Sequence, residues 1–128
     1  MKAQELLFVY NANGNLASAV LDFAHKIFSP STYACHLCAL THGHFRIKQE
    51  WKWFVEALPI KAAFLHKDEF EQHYSIRTVL PAVFVMSGDV VQEIITQPEL
   101  DNCQTLADLK KLVVLKLQGY VQYHHSHL

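Results

Sequence analysis

Five consecutive apolar residues, Leu6-Leu7-Phe8-Val9-Tyr10, stand directly before the turn-forming string Asn11-Ala12-Asn13-Gly14-Asn15. An apolar run of strand length that ends in a dense turn signal predicts a β-strand. A helical stripe follows at once. Leu16, Val20, Phe23, Ala24 and Ile27 fall at i, i+4, i+7, i+8 and i+11, while Ser18, Asp22, His25 and Lys26 take the other face. Asn15 is placed to cap this helix and Ser29-Pro30 to stop it. Strand, tight turn and helix open a βα unit, and that opening restricts what the rest of the chain can build.

Residues 31–44, STYACHLCALTHGH, follow neither period cleanly, although residues 32–37 could form a strand. From Phe45 the helical stripe returns with Ile47, Trp51, Phe54, Val55 and Leu58, and Pro59 ends it. Ala62-Ala63-Phe64-Leu65 suggests a short buried strand. Residues 68–74 suggest a short helix with Asp68 and Glu69 early, where the helix dipole favours them. Two β-branched runs, residues 80–85 and 90–95, flank Ser87-Gly88-Asp89 and read as a hairpin. Residues 96–102, with Pro98, read as a loop. Thr105 and Asp108 form a shortened capping box ahead of a last helix carrying Leu106, Leu109, Leu112, Val113 and Leu117, with Gly119 as its stop. Early strands joined by helices should run parallel, and the hairpin adds an antiparallel edge. The expected fold class is therefore an α/β sandwich with a mixed sheet, one domain over residues 1–119 and a His-rich tail over 120–128.

Composition narrows the function. Of 128 residues, 51% are apolar, enough for a real core and too many for a disordered chain. A net charge of −1 removes the footprint of a general nucleic-acid binder. No apolar run approaches the ~20 residues of a membrane span, and the short run at 6–10 does not resemble a secretory signal. A cytosolic location is the expectation. Three cysteines, an odd number, argue against a structural disulfide framework there. Nine histidines make the net charge, and hence solubility, sensitive to pH near 6.

Tyr74-Ser75-Ile76-Arg77-Thr78-Val79-Leu80-Pro81-Ala82-Val83-Phe84-Val85 resembles the thioredoxin segment around its cis-proline, and Ser87-Gly88-Asp89-Val90-Val91 resembles that family's hairpin. The resemblance covers about residues 60–118. It implies a thioredoxin-like fold with Pro81 as a cis-proline, an isomer that persists only where its context fixes it. Thioredoxins carry Cys-x-x-Cys at the end of the first strand. Here that position reads Asn11-Ala12-Asn13-Gly14, and Cys35-His36-Leu37-Cys38 comes later, in an inserted segment. Thioredoxin activity is therefore not carried over. The chain as a whole also resembles a family of short bacterial proteins of uncharacterised function, through Phe8-Val9-Tyr10-Asn11-Ala12, Ala24-His25-Lys26-Ile27, Ser29-Pro30-Ser31-Thr32-Tyr33 and Cys38-Ala39-Leu40-Thr41-His42-Gly43. Some of these carry a GTPase label. The present sequence has no Gly-x-x-x-x-Gly-Lys-Ser/Thr loop to cradle phosphates, so that label is set aside.

Cys35 and Cys38 open three lines of chemistry. In thiol redox one thiolate attacks a substrate disulfide, with a thiol or disulfide protein as the partner, and the other resolves the mixed disulfide. Cys35 would attack and Cys38 resolve, with no cofactor. In a non-catalytic zinc-binding or interaction module, Cys35, Cys38, His42 and His44 supply two sulfurs and two imidazoles, a set that suits Zn²⁺ although ten residues are cramped for it. In the third, both cysteines are small buried apolar residues. On a strand, i and i+3 point to opposite faces, so the thiols meet only if the chain turns or coils there. An extra parallel strand over 32–40 would bring Asn11, Asn13, His42 and the Pro81 loop together beyond the strand ends, as a substrate groove. Trp51 belongs to the core, Trp53 lies off the stripe centre and is expected to be partly exposed, and Cys103 has no partner that the sequence can name.

Overall fold

The structure, a computed structural model, describes residues 4–11, 35–42 and 47–126, with side chains to Tyr120. The helix expected over 16–27, together with Asn13 and His44, lies outside the described residues.

Four strands form one mixed sheet. They are β1 (Gln4–Val9), β2 (Lys61–Leu65), β3 (Ala82–Ser87) and β4 (Val90–Ile95). The order is β2-β1-β3-β4. β1 runs parallel to β2, with Phe8 opposite Phe64, and antiparallel to β3, with Val9 opposite Ala82. β3 and β4 form the expected hairpin, joined through Gly88 and Asp89. Gly88 has φ 61°, a left-handed conformation that glycine adopts without steric cost. The Leu80–Pro81 peptide bond is cis.

The continuous apolar run of β1 follows from its central place. Leu6, Phe8 and Tyr10 enter one buried cluster and Leu7 and Val9 the other, because successive side chains leave opposite faces of a strand. The first face carries α1 (His36–Thr41), α2 (Gln49–Glu56) and α5 (Leu106–Ser126), which bring Leu37, Trp51, Leu109 and Val113 onto Phe8 and Val85. Phe8 meets Trp51 edge-on at 5.3 Å and stacks on Phe64 at 5.1 Å. The second face carries α3 (Lys67–Tyr74), whose buried Phe70 stacks on Phe84 at 4.7 Å. As the stripe predicts, Trp51 is fully buried and Trp53 is 64% exposed.

Three expectations are corrected. Residues 36–41 are helical rather than extended, so the extra parallel strand expected over 32–40 is not formed by its described part. Cys35 supplies the reason: its backbone is extended at φ −110° and its sulfur caps the helix that starts at the next residue. Residues 97–101 are a helix, α4 (Gln97–Asp101), not a loop. Thr96 and Glu99 form a reciprocal capping box, and Pro98 sits in the first turn, where a missing N–H costs nothing. Gly119 does not stop the last helix, which continues to Ser126. The Thr105–Asp108 box does form: Thr105 Oγ1 accepts from the Asp108 N–H at 3.1 Å, and the Asp108 carboxylate accepts from the backbone of Gln104 and Thr105.

Candidate functional site

Helix α1 holds the cysteine pair. Residues i and i+3 share a face in the first turn of a helix, so the turn that replaces the expected strand is what allows the sulfurs to meet. The Cα atoms of Cys35 and Cys38 are 5.3 Å apart and their sulfurs lie at disulfide distance. The Cys35 sulfur accepts two backbone N–H bonds, from Cys38 at 3.3 Å and from Asn11, just beyond β1, at 3.4 Å. Such donors favour the anionic form of an acceptor. Both cysteines are buried.

His36, between the cysteines, reaches across to the junction of α4 and α5. Its Nε2 lies 2.6 Å from the Cys103 carbonyl, and since a carbonyl only accepts, Nε2 carries the hydrogen. This bond ties the pair-bearing helix to α4, and α4 is tied in turn to α5 by Glu99, which pairs with Lys116 at 2.5 Å. Cys103 is the remaining thiol. It is buried, its Sγ donates to the Glu99 carbonyl at 3.7 Å, and burial pushes its pKa up, with Asp108 and Glu99 adding to the shift.

At the other end of α1, Thr41 is the single buried polar side chain among the described residues. Its hydroxyl donates to the Leu37 carbonyl at 2.8 Å and meets His42 Nδ1 at 2.9 Å. A hydroxyl has one hydrogen. With that hydrogen on Leu37, Thr41 can only accept from His42, so in the neutral ring Nδ1 carries the hydrogen and Nε2 keeps the lone pair. The His42 ring packs edge-on against Tyr10 at 5.8 Å, and the His66 ring lies tilted against the same tyrosine at 5.8 Å. His66 is itself held by Glu69 at 2.7 Å.

The sequence-predicted residues distribute as follows. Cys35 and Cys38 come together, and the backbone N–H of Asn11 reaches the Cys35 sulfur. His42 lies against Tyr10, next to Asn11 in the chain. Pro81 is buried and precedes Ala82, the residue that faces Val9 across the sheet. Of the zinc set, Cys35, Cys38 and His42 are described. Among the described residues no group of three His, Cys, Asp or Glu side chains is arranged to hold a metal ion. No described helix is long and apolar enough to cross a membrane.

Sequence reasoning set Thr41 beside His42 at a strand end and considered His66 only as a distant zinc ligand; it missed Tyr10 as a neighbour of the site and the bond from His36 to Cys103. Thr41 carried a faint signal, a polar residue beside a histidine at the end of a short apolar stretch. The other contacts join positions far apart in the chain and had none. Compared with family models, with curated proteins and with solved structures, the chain finds no match.

Proposed function

We propose that this chain is a thiol–disulfide exchange protein with a thioredoxin-like fold, in which Cys35 and Cys38 cycle between dithiol and disulfide. The observation that carries it is the cysteine pair at disulfide distance, with two N–H donors on the Cys35 sulfur. Those donors make Cys35 the attacking thiolate and leave Cys38 to resolve the mixed disulfide. The strand order, with parallel β1 and β2 beside the β3–β4 hairpin, is consistent with the thioredoxin arrangement that the Pro81 region resembles. Asn11, His42 and Pro81 would border the substrate groove. A protein disulfide is the proposed substrate, no cofactor is needed, and a reducing cytosol is the proposed compartment.

The test is a redox titration of the untagged protein in buffered dithiol and disulfide mixtures, read per cysteine by mass spectrometry. Reversible formation of the Cys35–Cys38 disulfide without loss of native structure is expected. Cys35→Ser should prevent any mixed disulfide with a small disulfide probe, and Cys38→Ser should trap one. Thiols that stay unreactive until a chelator removes bound zinc would overturn the proposal in favour of the zinc module. Thiols unreactive with and without chelator would assign both cysteines to packing alone.

A further inference from the structure

We infer that His36 is a positioning residue for the exchange reaction: its imidazole, bonded to the Cys103 carbonyl, holds the first turn of α1 so that the Cys35–Cys38 disulfide is favoured over the dithiol. The inference rests on the exchange function proposed above and adds to it a residue that sets the redox equilibrium.

The need for an anchor comes from the size of α1. It has six residues, and isolated helices shorter than about 12–15 residues are marginal in water. Its place is therefore set by what it touches. Leu37 and Leu40 enter the same buried cluster as Leu100 and Leu106, but apolar burial has no direction. A hydrogen bond does. His36 is the first residue of α1 and stands between the two cysteines. Its Nε2 meets the Cys103 carbonyl at 2.6 Å, a part-buried bond that spans 67 positions of the chain. The donor hydrogen is present on Nε2 in the charged ring and in one neutral tautomer, so the anchor does not depend on the charge of the ring.

The receiving end is held from both sides. Cys103 lies between α4 and α5. Its N–H bonds to the Leu100 carbonyl at 3.1 Å, and its Sγ donates to the Glu99 carbonyl at 3.7 Å. The next two N–H groups, of Gln104 and Thr105, bond to the Asp108 carboxylate at 3.0 and 3.2 Å. A carbonyl fixed in this way places His36, and with it the turn that carries both cysteines. In that turn the Cα atoms of Cys35 and Cys38 are 5.3 Å apart, inside the range of about 4.4–6.8 Å that a disulfide spans. In the dithiol the sulfurs are no longer bonded and move apart, which draws the turn away from this arrangement. An interaction that is stronger in one of two states shifts the equilibrium toward that state.

The experiment equilibrates the full chain, untagged, in mixtures of reduced and oxidised glutathione at pH 7, with acid quench and per-cysteine mass spectrometry. In the reaction the protein dithiol gives two electrons and two protons to oxidised glutathione. The Cys35–Cys38 bond forms, the glutathione disulfide breaks, and two reduced glutathione molecules leave. The net contribution of a protein hydrogen bond corresponds to about a two- to tenfold change in an equilibrium constant. His36→Phe keeps a ring and loses the donor. It should lower the constant for disulfide formation about fivefold, a shift of about 20 mV toward less negative potentials. His36→Gln, whose amide nitrogen lies as many bonds from Cβ as Nε2 does, should restore the wild-type value to within twofold. Urea melts supply the reciprocal measurement: His36→Phe should destabilise the oxidised protein more than the reduced one. A bond that served the fold alone would cost both forms equally and leave the constant unchanged. If His36→Phe does not fold, His36→Asn replaces it, its amide one bond short of the carbonyl. A constant within twofold of wild type in the donor-lacking or shortened variant would overturn the role of His36 while leaving exchange intact. So would equal losses in the two melts, or His36→Gln as low as His36→Phe. Failure of the wild-type chain to form a reversible Cys35–Cys38 disulfide in the same mixtures would overturn the exchange function itself.

Discussion

Glu99 is where a single substitution should loosen the support of the cysteine pair most directly. Its Oε1 accepts from the Thr96 N–H at 2.9 Å and from the Thr96 hydroxyl at 3.1 Å, and its own N–H bonds back to that hydroxyl. Its Oε2 pairs with Lys116 on α5, with each side chain about one-third exposed. Glu99→Ala removes the capping box, worth about 1 kcal/mol. It also removes a half-buried ion pair, worth about 0.5–1 kcal/mol. The expected loss is therefore about 1.5–2 kcal/mol, or roughly 5–10 °C in Tm for a domain of this size. Glu99→Gln keeps an acceptor for Thr96 and should lose about half as much. The pH dependence supplies an internal control. Burial raises the Glu99 pKa, but Lys116 and Thr96 together outweigh it and the net shift is downward. A carboxylate with a depressed folded pKa stabilises above its unfolded value of about 4.3, and that contribution is lost as pH falls through the folded value. Urea melts at pH 7 and near pH 3 should therefore show the gap between wild type and Glu99→Ala narrowing in acid. A gap below about 0.5 kcal/mol at pH 7, the usual range of an uninvolved surface site, would refute the reasoning. So would a gap that does not narrow.

Four further outcomes are expected. In the reduced native protein Cys103 should alkylate more slowly than a free thiol, because burial and two nearby carboxylates raise its pKa; per-residue mass spectrometry with Cys103 reacting as fast as in the unfolded chain would contradict this. The buried Trp51 Nε1 finds no partner among the described residues, so Trp51→Phe should stay within about 1 kcal/mol of wild type, since lost packing is offset by removing an unpaired donor; a loss near the 3–5 kcal/mol typical of Trp→Ala would mean the N–H is satisfied. Phe70→Ala should cost about 3–5 kcal/mol and Trp53→Ala no more than about 0.5 kcal/mol, matching 0% and 64% exposure; similar losses in chemical melts would put the core boundary in the wrong place. Gly119→Ala should stabilise by about 0.5–1 kcal/mol, because position 119 lies inside α5 with nothing within 4 Å of an added Cβ; a lower Tm would show that the helix breaks there.

Much of the fold was legible. The β-branched runs around Gly88 marked the hairpin, and the stripe through Trp51 and Val55 marked both a helix and its buried face. The misreadings were local. Pro98 drew residues 96–102 toward a loop, although Thr96 and Glu99 spelled a capping box three residues apart. Gly119 looked like a stop, but an isolated glycine in a long helix costs only about 1 kcal/mol, which the packing of Val113, Leu117 and Tyr120 offsets. Of the candidate site, the cysteines and His42 could be named in advance, but their relation could not.

By itself the sequence determined periodicity. Alternation and helical stripes depend on neighbours a few residues apart, so they survive in a one-dimensional string, and with them the mixed α/β class. Tertiary structure decided what the chemistry-bearing residues meet. Cys35 caps a helix instead of extending a strand because its sulfur finds the N–H groups of Cys38 and Asn11, the latter 24 positions away. His36 finds a carbonyl 67 positions away, and the His42 ring finds Tyr10. A hydrogen bond or ring contact stabilises only when distance and direction are both met. Those conditions exist once the sheet has set β1 beside the helices, and no local pattern encodes them.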